Sequence, residues 1–518
     1  MKDRILGAML DRRTFLISSG VAGAALGLPR GLMAQENPVK GGRLVLGLAG
    51  GATTDSLDPA LASAQVIYAV IAQFAERLVM IADNGRDLEP RLAESWSSSP
   101  DFMTWNFKVR KGVTFHNGKP LTAKDAVFSL NRHRGPNSKS GASEVFKVVN
   151  DVKVVDEFEF SVLLNEPNSE FPFLIADYHI VVQPDGDNGK SGIGTGPYVL
   201  VQSEMRHGVR YIAEKYKDYW QPNVGHVASI ETLVINDNSA RVSAFLNGQV
   251  HIINRVEPKV VSLISRAPTV KVVPTKGRGH YVFAMRCDVA PFDNPDLRMA
   301  LKLAINREEM VKQIVRGYGS VGNDTPVNDT YPFSSPLPQR AYDPEEAARY
   351  YKKSGHSGPI VLHTSDVAFA GAVDASVLFQ EQARRAGIQI EVKREPGDGY
   401  WDNIWNKAPF CATYWDGRPT QDQMLALAYA TGAAWNETAW SNPEFDKLLT
   451  DARKEPDPSK KTEIYKQANL LIRDNGGAII PMFTQYLDGV SNKVKGYIPD
   501  INNELSNARF AERCWLAS

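Results

Sequence analysis

At 518 residues, with 43% hydrophobic and 23% charged side chains, the chain is globular in composition and too long for one ordinary core. Its formal net charge is +0, which excludes the basic footprint of a nucleic-acid binder. Three cysteines (Cys287, Cys411 and Cys514) are too few for a disulfide scaffold.

The first motif is Asp11-Arg12-Arg13-Thr14-Phe15-Leu16, followed by an apolar run from Ile17 to Leu28 rich in Gly and Ala. A paired arginine before such a run is the layout of a twin-arginine export signal. The run is shorter than the about 20 residues that span a bilayer. Leu32-Met33-Ala34 offers a small residue for cleavage, so the signal is read as 1–34 with a mature start near Gln35. Residues 1–34 hold five of the 59 basic and two of the 59 acidic groups; the remainder carries 54 and 57, a balance of −3. No cysteine follows the run, so no lipid anchor is expected there.

Gly41 to Leu48 predicts a strand entered through glycines, and Thr54-Asp55-Ser56-Leu57-Asp58-Pro59 a polar turn. Val66, Val70, Ile71, Phe74 and Leu78 share one face of a helix. Thr104 to Arg110 alternates apolar and polar residues, as a half-buried strand does. Asn117-Gly118 suits a tight hairpin, and Thr122 with Asp125 frames a helix start resembling a capping box. Two strands are predicted over 152–155 and 158–164. Gly192, Gly194 and Gly196 form no phosphate cradle, because their spacing is not that of a dinucleotide fingerprint and Pro197 blocks a following helix. Asp296 to Ile314 predicts one helix, capped by Asn294, with Leu297, Leu301, Ala304, Ile305 and Val311 on one face. Asp343 caps another that begins at Pro344. Strand 360–363, helix 372–386 and strand 388–392 make a βαβ crossover of a parallel sheet. A helix over 465–473, a short strand over 478–483 and β character over 494–498 close the chain.

Beyond the βαβ unit, Tyr414-Trp415-Asp416-Gly417-Arg418-Pro419-Thr420 reads as a loop leaving the apolar run 409–413. It joins an aromatic pair, a carboxylate, a glycine and a guanidinium. Trp401, Trp405, Trp415, Trp435 and Trp440, five of nine tryptophans, crowd this region. Stacked rings beside an anion-reading group make a ligand wall; the competing reading is a tryptophan core under a solvated turn. No catalytic constellation accompanies it. The nine histidines lack metal-ligand spacing beside a glutamate, and no Gly-x-Ser-x-Gly elbow occurs. Asp185-Gly186-Asp187-Asn188-Gly189 lacks the later ligands of a calcium loop.

In order and spacing, several landmarks resemble the solute-binding proteins of ABC importers in the dipeptide, oligopeptide, opine and nickel class, family five. They are Leu57-Asp58-Pro59, Leu92 to Trp96, Val113 to Val127, Gly194-Thr195-Gly196-Pro197-Tyr198, and Pro291-Phe292-Asp293 leading to Arg298–Leu301 and Ala304–Arg307. The resemblance implies an α/β, bilobal periplasmic-binding-protein fold with mixed sheets and two hinge strands between the lobes. It implies a large lobe over 35–281, an inserted lobe over 282–487 and a tail over 488–518 returning to the first lobe. The hinges fall near Gly279–Ala284 and Thr484–Asp488. In peptide-binding relatives a segment like Trp415-Asp416-Gly417-Arg418 carries an aspartate that pairs with the peptide α-amino group. Two alignments stay open: Asp416 supplies that carboxylate, or Arg418 occupies its position and favours a ligand carboxylate. Tyr414, Tyr281, Arg286, Thr54 and Asp55 complete the candidate ligand residues. Cys287 and Cys411 are a candidate pair.

The implied protein is a non-catalytic, monomeric periplasmic receptor without metal or cofactor. It would capture a small, partly anionic peptide, opine or amino-acid conjugate by lobe closure and deliver it to ABC permease transmembrane subunits. The alternatives are a secreted hydrolase or transferase acting on a similar ligand, and a heme or metal-chelate carrier.

Overall fold

Eleven strands form one sheet in the computed structural model, which describes residues 37–517 other than Ser63, Glu144, Val367, Asp398 and Gly399. The export signal read at 1–34 lies outside the described residues. At the centre of the sheet, Val270–Met285 pairs antiparallel with Ala478–Ser491. On one side follow Phe410–Trp415, Ile360–Thr364 and Ile390–Arg394; on the other come Ile252–Ile253, Arg43–Leu48, Ser229–Val234, Arg210–Lys215 and Tyr198–Leu200. A separate antiparallel sheet orders Ala93–Ser98, Thr104–Val109, Glu159–Leu164 and Val149–Asp156.

The buried apolar clusters divide by chain segment. Three are built from residues between Leu44 and Val270, joined by Leu487, Val490, Val494 and the segment around Phe510. Two others draw only on residues between Val282 and Met482. The Val270–Met285 and Ala478–Ser491 strands run from one set to the other. Their ladder holds from Val270↔Ser491 to Lys276↔Gln485, breaks, and resumes at His280↔Phe483. The break falls at Gly277-Arg278-Gly279. A Cβ on Gly277 would stand 2.8 Å from the Tyr486 ring, so only glycine admits that ring against the strand.

Local chemistry explains most elements. Thr122 N donates to Asp125 Oδ2 at 2.9 Å, completing the capping box that starts Ala123–Asn131. Ile360–Thr364, Ala372–Arg384 and Ile390–Arg394 form the expected βαβ unit, with Ile360 opposite Ile390 in parallel register. The helix predicted over 296–314 is instead two, Pro295–Leu303 and Arg307–Gln313. Asn306 is extended (φ −86°, ψ 98°), and its side chain accepts from Glu309 N at 3.0 Å. An asparagine able to cap a new helix outcompetes apolar periodicity running through it. The expected short strand 478–483 continues to Ser491 because its second half pairs with residues 270–276. No helix among the described residues is long and apolar enough to cross a membrane.

Candidate functional site

A cleft of about 2380 Å³ opens where the central ladder breaks. Both strands contribute to its lining, through Arg278 to Tyr281 and Thr484 to Leu487. The remaining walls come from the chain segments that build both sets of cores. Tyr68, Arg77, Asp177 and Tyr178 belong to the first set, and Tyr414 to Pro419 to the second.

Phe410–Trp415 is an inner strand to its end, with Tyr414 exposed and Trp415 buried, and the loop begins at Asp416. Thr420 then caps Gln421–Ala428 by accepting from Gln423 N at 3.1 Å. Arg278 fixes the short loop between. Its Nη1 donates to Arg418 O and Pro419 O, both at 3.2 Å. Its Nη2 donates to Gly85 O at 2.7 Å and Thr330 O at 2.8 Å, and its guanidinium stands 4.6 Å from the Tyr331 ring centroid. Burial pulls the Arg278 pKa below its ordinary value. No carboxylate pairs with it among the described residues; four carbonyls hold the charge instead. Gly417 permits this approach, because a Cβ there would lie 2.2 Å from Arg278 Cβ. Gly417→Ala is therefore expected to displace the loop, with a loss of about 1–3 kcal/mol in unfolding free energy measured by urea titration. Unchanged stability would show that the loop is not seated on Arg278.

The loop presents two opposite charges. The Asp416 side chain is exposed, and its charge pushes up the hydroxyl pKa of Tyr178 and Tyr486 after burial has done so. Among the described residues the half-buried Arg418 guanidinium donates only to its own loop, to Asp416 O at 3.1 Å and Gly417 O at 3.2 Å, and lies 5.8 Å from the Trp415 ring centroid. On the facing wall, burial raises the Asp177 carboxyl, but the His179 hydrogen bond and charge, then Arg418, outweigh it and hold Asp177 below its ordinary value. His179 meets Asp177 Oδ1 at 2.6 Å and Ala62 O at 2.8 Å. The field of one loop thus reaches both walls.

The facing wall carries further polar groups. Arg77 donates to Tyr68 OH and to Ala176 O, each at 2.9 Å, and no acidic side chain pairs with it among the described residues. Tyr68 OH donates to Asn507 O at 2.9 Å and stands beside Asn507 Oδ1. Leu505, Ser506, Asn507 and Ala508 all adopt positive φ, from 52° to 59°, a left-handed turn with no glycine in it. Such conformations cost about 1–2 kcal/mol per residue and persist only where surroundings over-determine them. Here Asp488 Oδ2 accepts from Leu505 N at 2.9 Å, and Asn254 Nδ2 donates to Glu504 Oε1 at 3.1 Å.

A cleft between two sets of core residues, crossed by two long strands and lined by aromatic rings and opposed charges, encloses a solute. The family model described as bacterial extracellular solute-binding proteins, family 5 (middle), matches residues 87–437. The chain belongs to this family. Among its relatives is the glutathione-binding protein GsiB of Pectobacterium atrosepticum, 24% identical over 528 residues, covering 98% of this chain and 100% of that protein. Two solved structures share the fold. One is the ABC transporter-associated periplasmic binding protein DppA of Helicobacter pylori in complex with the peptide STSA (TM-score 0.76, 21% identity, 93% of this chain and 99% of that one). The other is AgaA of A. tumefacien R10 in complex with agropinic acid (TM-score 0.77, 19% identity, 92% and 99%). Like them, this family 5 receptor is bilobal and mixed α/β. Members of the family are binding proteins that deliver solutes to ABC permeases from the periplasmic or extracellular side.

In this receptor the cleft gathers six of the residues singled out from sequence: Tyr281, Tyr414, Trp415, Asp416, Gly417 and Arg418. The other three do not line it. Arg286 is engaged elsewhere, donating to Asp288 at 2.7 and 3.1 Å and to Asn406 O at 2.7 Å. Asp55 closes its own turn by accepting from Ala52 N at 2.8 Å, and Thr54 lies in that turn. Cys287 and Cys411 are free thiols, not a pair. Trp435, one of the five tryptophans crowding the stretch in sequence, also lines the cleft, whereas sequence reasoning passed over Arg278, Arg77 and the 502–507 segment. Of these, only Arg278 carried a signal, an arginine between two glycines at the expected hinge. Among the described residues no group of three or more His, Cys, Asp and Glu side chains stands where it could hold a metal ion.

Proposed function

We propose that this receptor captures a small peptide-like solute that carries an anionic group: a short peptide, an opine or an amino-acid conjugate. The observation that carries this reading is the Asp416–Arg418 loop, which offers a carboxylate and a guanidinium at the same cleft beside the Trp415 ring. A cationic group on the solute would meet Asp416, an anionic one Arg418, and rings or aliphatic faces would lie on the exposed rings of Tyr414 and Trp435. The ligands of these relatives, glutathione, a peptide and agropinic acid, belong to this chemistry.

The lobes divide in this reading at 281–282 and 487–488, where the two long strands leave one set of cores for the other. Closure about those strands encloses the solute, and the closed monomer meets the permease. Export follows the twin-arginine route to the periplasm, with residues 1–34 as its signal.

Native mass spectrometry of protein purified without denaturation, followed by calorimetry with glutathione, a dipeptide and an opine, tests the ligand class. Arg418→Ala is expected to weaken whichever of these binds by about 1–3 kcal/mol, the half-exposed guanidinium being partly screened. Unchanged affinity sinks the role of Arg418. Turnover of any of the three would favour a hydrolase or transferase instead, and visible absorbance or bound metal in the purified protein would favour a chelate carrier.

A further inference from the structure

Behind the cleft wall stands Glu437, a buried carboxylate with no cationic partner among the described residues. Trp415 Nε1 donates to its Oε1 at 3.0 Å, and Trp405 Nε1 donates to its Oε2. From these two indoles a continuous run of rings reaches the surface. Trp415 meets Trp435 at 6.1 Å, Trp435 meets Trp405 at 6.5 Å, Trp405 meets Trp401 at 6.1 Å, and Trp401 meets Tyr414 at 5.6 Å between centroids. Tyr414 and Trp435 line the cleft and are 41% and 45% exposed, unusual for rings within such a cluster.

We propose that Glu437 is the positioning residue of the aromatic wall: its two oxygens lock Trp405 and the buried Trp415, and the rings packed on these hold Tyr414 and Trp435 as one fixed surface for a solute with a flat, apolar face. The assignment of that surface to the solute rests on the peptide-like reading above. A carboxylate suits the task because it offers an acceptor to each indole and donates nothing. A protonated carboxyl turns one oxygen into a donor facing an N–H and frees that ring. Burial pushes Glu437 up to about 7, against the pull of the Trp415 and Trp405 indoles, so the lock is poised near neutrality. The other titratable groups that feel its charge are Tyr400, Cys411 and Tyr429. Burial pushes each of them up and keeps it neutral there, so Glu437 titrates alone.

The full exported chain labelled with 5-fluorotryptophan separates this role from simple packing, with resonances assigned by single Trp→Phe variants. Trp405 and Trp415 are expected to shift together with a midpoint near pH 7, and Glu437→Gln to abolish that titration. Should Glu437→Gln fail to fold, Trp405→Phe removes one of the two donors, and the Trp415 midpoint is expected to rise. Resonances that ignore pH in the parent, or that titrate alike in Glu437→Gln, overturn the proposal. The binding arm uses the dipeptide Phe-Glu as probe: Glu437→Gln is expected to raise its Kd at least tenfold, and an unchanged Kd also overturns the proposal. Failure of the parent chain to bind Phe-Glu counts against the peptide-like reading, and the fluorine signals alone then decide the role of Glu437.

Discussion

Replacing Arg278 with alanine is expected to lower the unfolding free energy by about 3–5 kcal/mol and to abolish solute capture. Two terms compete. Removing a buried guanidinium that lacks a carboxylate partner returns its desolvation cost, several kcal/mol. Against this, the carbonyls of Gly85, Thr330, Arg418 and Pro419 lose their donors at about 1–3 kcal/mol each, and the emptied volume beside Tyr331 adds a cavity. Four orphaned acceptors outweigh one relieved cation. Arg278→Met isolates the hydrogen bonds, since it keeps most of the volume and loses every donor. Both variants should show a lower urea midpoint with an unchanged slope, the sign of lost stability without a changed unfolded state. Solute capture fails because Arg278 joins Gly85, which precedes the strand Leu88–Pro90, to the loop that carries Asp416 and Arg418. Parent-like midpoints in both variants would remove Arg278 as the post of that loop.

What could be read in the sequence was chemistry confined to a few consecutive residues. The Thr122/Asp125 box, the Asp343 cap and the βαβ unit over 360–394 each declare themselves within about thirty residues and appear in the structure. The Tyr414–Thr420 stretch was visible for the same reason: its rings and charges are adjacent in sequence and remain adjacent at the cleft. Features made by distant partners were not visible. Arg286 looked like a ligand residue because it offers a guanidinium beside the expected hinge, yet Asp288, two residues on, takes its charge. Glu437 gave no sign of its role, since its donors lie 32 and 22 residues away. The left-handed turn over 505–508 contains no glycine, so its conformation comes from contacts to Tyr68 and Asp488 rather than from local preference. The helix over 296–314 failed in the opposite way. Apolar periodicity was counted through Asn306, although the residue type best suited to end one helix and cap another was in plain view.

The stability difference between Asp488→Asn and the parent is expected to grow by about 3 kcal/mol in favour of the variant from pH 4.5 to pH 7.5. Asp488 is fully buried on the Ala478–Ser491 strand. One of its oxygens accepts from Tyr497 OH at 2.6 Å and Leu505 N at 2.9 Å; the other has no partner among the described residues. Burial, then the charge of Glu504, push its carboxyl up to about 7, and the Tyr497 and Leu505 donors only partly offset them. The folded state therefore holds a proton that the unfolded chain releases near pH 4. The stabilisation from that proton is complete below the unfolded pKa and is lost as pH rises through about 7. His133 and His280, which burial pulls down to about 4, act in the opposite sense, removing stability as pH falls below about 6.5. Comparing variant with parent cancels both histidines, so urea unfolding across that range reads Asp488 together with its coupling to Glu504. A constant difference would mean that Asp488 is ionised throughout, and its buried unpartnered oxygen would then need a donor from elsewhere. The growing difference ties the hinge strand to the left-handed turn. Ionisation near neutral pH strengthens the acceptor for Leu505 N while charging an oxygen without a partner among the described residues, so the Ala478–Ser491 strand and the left-handed turn share one proton.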